Sequence, residues 1–263
     1  ISEDIDMIVQ SQALGQSGVR IVAMMGQPAG VIMGSAFARD EQGRILLDSE
    51  NLPIIKTDEN QAVLIDNIIG NSTPDILWGF SSQFSYKRIF AGFQIDSKLG
   101  HDIFSVTNMM GAEFGTLAFT EEGRDDWYRA VELAAADPNI NPEDFNMGYL
   151  VNGVKNGVEG EYAVDPQKYW ARVSRIHEAF VYDASYVRFR QLSLGYNLGQ
   201  NLLNNTPFRE VSLSVFANNL FYIMRNTENI SPESSFGTGN NTGFEVYAYP
   251  EMRSYGVNLK ISL

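Results

Sequence analysis

The chain ends, over residues 253–263, in a strict alternation of apolar and polar side chains. The apolar members are Tyr255, Val257, Leu259, Ile261 and Leu263. A period of two residues predicts a β-strand with one apolar face and one polar face. About 9–11 residues is the length of a strand that crosses a bilayer in a transmembrane β-barrel, but a half-exposed strand of a soluble β-sandwich alternates in the same way. The pattern alone leaves both architectures open.

The composition excludes several classes of protein. Asp and Glu outnumber Lys and Arg by 32 to 19, the formal net charge is −13, and no basic cluster occurs, so we expect no nucleic-acid partner. No run approaches the roughly 18 apolar residues of a membrane-spanning helix, so a membrane would have to be crossed by strands. The absence of cysteine removes disulfides, thiolate metal sites and cysteine nucleophiles.

Other parts of the chain also show the period of a strand. The alternating runs are residues 78–87, 91–96, 186–197 and 210–218. The first two flank a very short turn at residues 87–89, which predicts a hairpin. The third run changes phase near Arg190 and Gln191, which indicates a β-bulge.

The connections between these runs alternate between short and long. Short links occur at residues 87–89 and 198–207, whereas long ones cover 99–180, 220–250 and much of 11–75. Outer-membrane barrels have short periplasmic turns and long extracellular loops, and loops beyond about 15 residues are uncommon in compact soluble domains. Five strands cannot close a barrel, so we expect the chain to be part of a longer polypeptide, unless several copies assemble one barrel.

A segment in the second half of the chain resembles a known family. Residues 182–196 (YDASYVRFRQLSLGY) resemble the hallmark run of the SusC/RagA family of TonB-linked outer-membrane transporters. Weaker family-like blocks occur in the family's order at 26–28 with Gly34, 40–43, 70–75, 79–80, 85–87, 217–221, 231–233 and 250–256. Together they cover nearly the whole chain. Leu263 departs from the family, whose barrels commonly end in an aromatic residue.

The resemblance implies both a fold and a location. The fold is all-β, and residues 1–263 would form the C-terminal strands of a large antiparallel transmembrane β-barrel of the TonB-dependent transporter type. Its extracellular loops would be long, and residues 98–180 would form one such loop region. The plug and the remaining strands would lie outside the chain. The location implied is the outer membrane of a Gram-negative, Bacteroidota-like bacterium.

The resemblance also implies a function, namely import of oligomeric nutrients, glycans or peptides. The implied partners are a SusD-like surface lipoprotein, the TonB complex through the absent N-terminal part, and outer-membrane lipid and lipopolysaccharide. Two alternatives stay open on the residues alone: a soluble secreted β-sandwich binding module, and a porin or siderophore-type receptor. Nothing in the sequence distinguishes sugar from peptide.

No arrangement of residues predicts an enzyme, and we expect no catalytic residues and no cofactor. His101 and His177 stand in neither a metal nor a triad spacing. The acidic residues within 121–126 follow Thr120, a candidate N-cap, and precede the helix-forming run 127–136. They are therefore better explained as acids of a first helical turn than as catalytic carboxylates.

One acidic segment has part of the spacing of a calcium loop. Asp137, Asn139 and Asn141 occupy alternate positions, as the first ligands of such a loop do. Pro142 and Gly148, however, stand where a glycine and a bidentate glutamate are required. We therefore predict no metal site of this kind, and a calcium held by irregular loop oxygens stays open.

Aromatic residues of the long loop region are the candidates for substrate binding. They are Trp127, Tyr128, Tyr149, Tyr169 and Trp170. Aromatic faces stack on sugars and pack on peptide side chains, and binding groups concentrate on loops held by a rigid scaffold. The alternative is that these rings pack the loop against itself or against a lipoprotein partner, because an ordered loop of this length needs a small core of its own.

Overall fold

In the computed structural model, the described residues are 7–12, 18–136, 139–204, 206–234 and 242–262. Their strands, in chain order, are β1 (Met7–Gln12), β2 (Arg20–Met24), β3 (Val31–Gly34), β4 (Asn67–Asn71), β5 (Ile76–Tyr86), β6 (Ile89–Leu99), β7 (Asp102–Ser105), β8 (Tyr149–Lys155), β9 (Val158–Val164), β10 (Val181–Asp183), β11 (Tyr186–Asn197), β12 (Glu210–Arg225), β13 (Phe244–Glu245) and β14 (Ser254–Ser262). The α-helices are α1 (Val106–Glu113), α2 (Arg124–Ala134), α3 (Pro166–Val173) and α4 (Gln200–Leu203). Shorter 3-10 helices cover Ala118–Glu121, Pro142–Phe145 and His177–Phe180. None of these helices has the length and apolar character needed to cross a membrane.

The chain divides into two compact units whose segments alternate along the sequence. The first, which we call the loop unit, comprises the described residues of Ile1–Thr73, Asp102–Tyr182 and Ser234–Ala248. The second, the sheet unit, comprises those of Pro74–His101, Asp183–Glu233 and Tyr249–Leu263. Most of the predicted loop region, residues 98–180, belongs to the loop unit.

The sheet unit is built on one five-stranded antiparallel sheet in the order β14-β12-β11-β6-β5. These are the five strands that the alternation predicts, although β12 continues past the predicted run to Arg225. The register of β11 shifts between Phe189 and Gln191 against both of its neighbours, which confirms the bulge at Arg190. The predicted all-β fold is therefore present.

One face of this sheet is apolar across all five strands. A row of cross-strand neighbours runs through Tyr86, Ile89, Tyr196, Leu213 and Leu259, and the next row through Phe84, Ala91, Leu194, Val215 and Val257. Large side chains of this face are exposed, with Tyr86 at 72% and Val257 at 68%. A contiguous apolar surface of this kind is the lipid-facing surface of a membrane barrel strand set.

The opposite face carries small and polar side chains. Gly195 lies directly across from Phe90, and Gly256 across from Phe216. A Cβ atom at either glycine would overlap the facing phenylalanine ring. Each ring therefore occupies the space that a side chain at the glycine would need, and this close fit helps to fix the register.

The loop unit contains more regular structure than the long connections of the sequence suggest. Its strands include the sheet β1-β2-β3-β4, the hairpin β8-β9, and a parallel pairing of β7 with β13. Its main core consists of Val19, Ile21, Ile32, Phe104, Val106, Met109, Ala112, Val173, Phe180 and Phe244. The segment 20–71 was expected to be largely a connection and instead supplies three of these strands.

The expected helix after the acidic run is present, but its predicted N-cap is wrong. Helix α2 begins at Arg124, and its N-cap is Gly123 in a left-handed conformation with φ of 78°. Thr120 instead lies in the preceding 3-10 helix, where its hydroxyl donates to the Leu117 carbonyl at 2.6 Å. A glycine that can adopt positive φ sets the start of the helix more strongly than the threonine does.

Buried His177 links two parts of the loop unit. Its Nδ1 accepts a hydrogen bond from the Ser35 backbone N–H at 3.1 Å, and its ring packs edge-on against Phe104. Because Nδ1 is an acceptor, the imidazole is neutral with its proton on Nε2. Burial lowers the pKa of His177 to about 4.

Acidification should therefore destabilise the loop unit through His177. The folded pKa lies below the unfolded value of about 6.5, so the stabilisation is complete above pH 6.5 and declines as the pH falls towards 4. We expect a loss of about 2 kcal/mol at pH 5. This loss in the free energy of unfolding can be measured from hydrogen exchange of the Ser35 amide at pH 8 and at pH 5. In His177→Asn, whose amide oxygen can accept the same bond, this pH-dependent loss should disappear, and an unchanged dependence would contradict the assignment.

Candidate functional site

Two arginines of β11, Arg188 and Arg190, organise a charged network on the polar face of the sheet unit. They are two residues apart and therefore project to the same side of the strand. The bulge that follows Phe189 adds one residue, so Gln191 continues on that polar face, where it lies across from Gln94. The bulge thus places three polar residues, Arg188, Arg190 and Gln191, close together on one side.

Arg190 is held by three strands or loops at once. Its Nε donates to Asp96 Oδ1 at 2.7 Å, and its Nη2 contacts Asp96 Oδ2 at 2.5 Å, which is a bidentate pairing. Nη2 also donates to Glu233 Oε1 at 2.5 Å, and Nη1 donates to Asn219 Oδ1 at 3.1 Å. The planar guanidinium suits this fork-like geometry, which a lysine could not reproduce.

Arg188 is 3% exposed and is surrounded by two carboxylates and a tyrosine. Its Nη1 forms ion pairs with Glu233 and, at 2.5 Å, with Glu251. The same nitrogen donates to the Tyr222 hydroxyl at 3.0 Å, and the guanidinium carbon lies 4.6 Å from the centre of the Tyr222 ring. Charge pairing and cation–π contact together stabilise a cation that burial alone would disfavour.

Glu233 connects both arginines, and we call the set of Asp96, Arg188, Arg190, Glu233 and Glu251 the arginine network. Glu233 also accepts a hydrogen bond from the Tyr186 hydroxyl at 2.7 Å. Burial alone would raise the pKa of Glu233, but the hydrogen bonds from Arg190 and Tyr186 and the positive charges outweigh it and lower that pKa to about 2. Glu233 is therefore ionised throughout the physiological range.

These charged residues were not predicted as a site, although Arg188, Arg190, Glu233 and Glu251 lie in the family-like blocks 182–196, 231–233 and 250–256. The available signal was the pair of arginines at alternate positions of an otherwise membrane-type strand. Such charges require carboxylate partners on the same face. Their partners come from segments more than 40 residues away, so the pattern could not identify them.

In the loop unit, three of the predicted aromatic residues form a compact cluster. Ring centroids lie 4.4 Å apart for Tyr149 and Tyr169, 5.4 Å for Tyr149 and Trp170, and 5.0 Å for Tyr169 and Trp170. Burial, reinforced by the neighbouring Tyr149, raises the pKa of Tyr169. Trp170 also packs on Phe119 at 4.9 Å. Tyr149 and Tyr169 thus have the packing role that the sequence left open as the alternative.

A cavity of about 380 Å³ lies beside α1, α2 and α3 of the loop unit, and we call it the loop-unit cavity. Its lining includes Glu113, Arg124, Trp127, Tyr128, Asp165 and Trp170. Three of the five predicted substrate-binding residues, Trp127, Tyr128 and Trp170, therefore border one cavity, whereas Tyr149 and Tyr169 do not line it. Whether these residues bind substrate stays a prediction.

The described residues contain no group of three or more histidine or carboxylate side chains that could hold a metal ion. Asp137 of the candidate calcium loop lies outside the described residues, so that hypothesis stays open. The candidate functional features are thus the arginine network and the loop-unit cavity, and neither presents an arrangement for covalent chemistry.

Replacing Glu233 with glutamine should destabilise the sheet unit by about 3 kcal/mol. The change keeps the shape of the side chain but leaves Arg188 and Arg190 without their shared carboxylate charge. The matched control is Glu210→Gln, because Glu210 pairs with Lys260 at 3.9 Å on an exposed surface and should change the free energy of unfolding by less than about 1 kcal/mol. Urea unfolding in detergent micelles measures both variants. Equal losses would show that the arginine network does not stabilise the fold.

Sequence comparison relates the chain to TonB-dependent receptors. It is 26% identical over 201 residues to TonB-dependent receptor P3 of Formosa agariphila, an alignment that covers 73% of this chain and 17% of that protein. It is 27% identical over 223 residues to TonB-dependent receptor P39 of the same organism, covering 79% and 18%. The chain therefore spans less than a fifth of the length of these curated relatives. No family model matches it.

Structural comparison extends the likeness to almost the whole chain. The RagAB peptide transporter superposes with a TM-score of 0.55 at 13% identity, covering 99% of this chain and 25% of that one. The RagAB peptide importer in its closed-closed state gives 0.54 at 14% identity, with the same coverage. At this identity the likeness establishes the fold. Sequence and structure together confirm the resemblance to the SusC/RagA family of TonB-linked transporters: the chain is similar to TonB-dependent receptors and has the fold of one quarter of the RagAB transporter chain.

Proposed function

We propose that the chain forms part of the barrel wall and the loops of a SusC-like TonB-dependent transporter in the outer membrane of a Gram-negative bacterium. The observation that carries the proposal is the two-faced sheet, with an exposed apolar surface across five strands and a small, polar surface opposite. Lipid on one side and an aqueous lumen on the other require this division. The likeness to TonB-dependent receptors supports the same conclusion.

The aromatic residues of the apolar face are also arranged as on a membrane-facing surface. Stacked aromatic rings cross three strands, with centroid distances of 6.0 Å between Phe93 and Phe189 and 5.3 Å between Phe189 and Phe221. At the tight-turn end, Tyr86 and Tyr196 are exposed, and the Lys87 ammonium lies 5.3 Å from the centre of the Tyr86 ring. Tyrosine followed by a basic residue suits the boundary between hydrocarbon and headgroups, where aromatic girdles occur.

We further propose that the transporter imports oligomeric nutrients, glycans or peptides, with energy from TonB and with a SusD-like surface lipoprotein as its partner. A solved structure to which the chain is similar is a peptide transporter, which supports the substrate size. The loop unit supports a protein partner, because it exposes large apolar side chains outside the loop-unit cavity, including Val158 at 63% and Ile68 at 51%. Exposed apolar groups of this size favour association with another protein.

Site-directed spin labelling tests the orientation of the sheet. The chain has no cysteine, so single substitutions Val257→Cys and Asn258→Cys introduce one labelling site each on neighbouring residues of opposite faces. In lipid vesicles, the label at 257 should be accessible to molecular oxygen and shielded from a water-soluble nickel chelate, and the label at 258 should show the reverse. Equal access of the nickel chelate to both labels would contradict the membrane assignment and favour a soluble β-sheet protein.

Growth and co-purification test the transport function. In the native strain, deletion of the gene should abolish growth on one class of oligomeric nutrient, and deletion of tonB should have the same effect. The protein extracted from outer membranes should co-purify with a surface lipoprotein. Growth on oligomers that depends on the gene but not on tonB would indicate a porin instead, and recovery without any lipoprotein would remove the proposed partner.

A further inference from the structure

We propose that the loop-unit cavity binds a neutral sugar ring of an oligosaccharide substrate. This proposal rests on the transport function proposed above and names its substrate class. It goes beyond the aromatic candidates of the sequence, because it assigns polar contacts to Arg124, Asp165 and Gln167 and excludes Tyr149 and Tyr169 from the contact surface.

The first argument is the shape and the aromatic content of the cavity. Its volume of about 380 Å³ falls within the range of small-molecule sites. Tyr128 is 65% exposed and Phe114 69% exposed, so their rings are available at its border. Aromatic rings provide apolar faces against which the C–H face of a sugar can pack. The cluster of Tyr149, Tyr169 and Phe119 around Trp170 holds this part of the wall in place.

The second argument is that Arg124 is held in position with one nitrogen unused. Its Nε donates to the Thr120 carbonyl at 2.8 Å, and its Nη2 donates to the Gly115 carbonyl at 2.7 Å and to the Thr120 hydroxyl at 2.8 Å. These contacts fix the guanidinium before any ligand arrives. Nη1 makes no hydrogen bond to the described residues, so it can donate to a ligand oxygen without losing an existing bond.

The third argument concerns acceptors on the other side of the cavity. Asp165 is the N-cap of α3, and its Oδ1 accepts from the Gln167 backbone N–H at 2.8 Å. Its Oδ2 has no partner among the described residues. Glu113 adds a second carboxylate, and the Gln167 side chain can both donate and accept. The cavity lining thus combines hydrogen-bond donors and acceptors with aromatic rings.

The aromatic rings, the single arginine and the two carboxylates together favour some classes of ligand over others. Sugar hydroxyls both donate and accept, so different hydroxyls of one saccharide can accept from Arg124 Nη1 and donate to Asp165 Oδ2. A sulfated or uronic-acid sugar would bring an anion towards Glu113 and Asp165 with only Arg124 in compensation, which disfavours it. The lining therefore fits a neutral saccharide, and the alternative of a peptide is an outcome of the test.

Binding to the purified, intact transporter complex provides the test. The probes are neutral hexose and pentose oligosaccharides of four to eight units, sulfated oligosaccharides of the same lengths, and a pool of peptides of matched mass. We expect neutral oligosaccharides to bind and both Tyr128→Ala and Asp165→Asn to weaken them at least tenfold. Asparagine still caps the helix, so Asp165→Asn removes charge without removing the cap.

The matched control is Tyr247→Ala, because Tyr247 is similarly exposed at 62% in the loop unit but does not line the cavity. It should leave affinity unchanged. Preferential binding of peptides or of sulfated sugars overturns the neutral-sugar assignment, and sugar binding unaffected by Tyr128→Ala overturns the location. Either result would overturn only the sugar site, because uptake of the nutrient would still depend on the protein and on TonB. If instead uptake never requires the protein, the proposed transport function itself is wrong.

Discussion

Hydrocarbon offers no hydrogen-bond partner to a peptide group, and this constraint explains most of the sheet unit. In lipid every backbone N–H and C=O group must pair with a neighbouring strand. The order β14-β12-β11-β6-β5 provides this pairing, apart from the bulge at Arg190 and a second register shift between Val187 and Arg188 against β12. The outer edges of β5 and β14 have no neighbouring strand among the described residues, so a barrel requires further strands at both edges.

The same constraint decides where charge can lie. Facing lipid, an arginine would be strongly disfavoured, and Arg188 and Arg190 instead project from the polar face towards carboxylates. Both arginines share Glu233, which also orients Tyr186. The chain therefore separates two tasks. Alternating apolar residues face the hydrocarbon, and a small number of paired charges fix the loops that continue from the strands.

Local periodicity determines how much of the fold and of the candidate site could be predicted from the sequence. The five membrane-type strands alternate over long runs, so their faces and the bulge at Arg190 were predictable. Strand β3 (VIMG) is short and buried on both sides, so it has no alternation to recognise. Trp127 and Tyr128 could be named as candidate binding residues from the sequence, because they are aromatic residues of a long loop region. Arg124 precedes these rings on α2 by three and four residues, a helical spacing that places the three side chains near one another. Asp165 could not be predicted, because it reaches the same cavity from the start of α3, a proximity that no local pattern encodes.

The two carboxylates that pair with Arg188 affect how far the segment between them can vary in sequence and length. Glu233 and Glu251 precede and follow an insertion of the loop unit, and both contact the same Arg188 nitrogen. The ends of that insertion are therefore held together by the sheet unit itself. The entropic cost of closing a loop grows only slowly with its length, at roughly 0.6 kcal/mol per doubling. Sequence between the two anchors can therefore change in length or diversify in evolution while the barrel strands remain unchanged, provided that β13 and Phe244 keep their places in the loop unit.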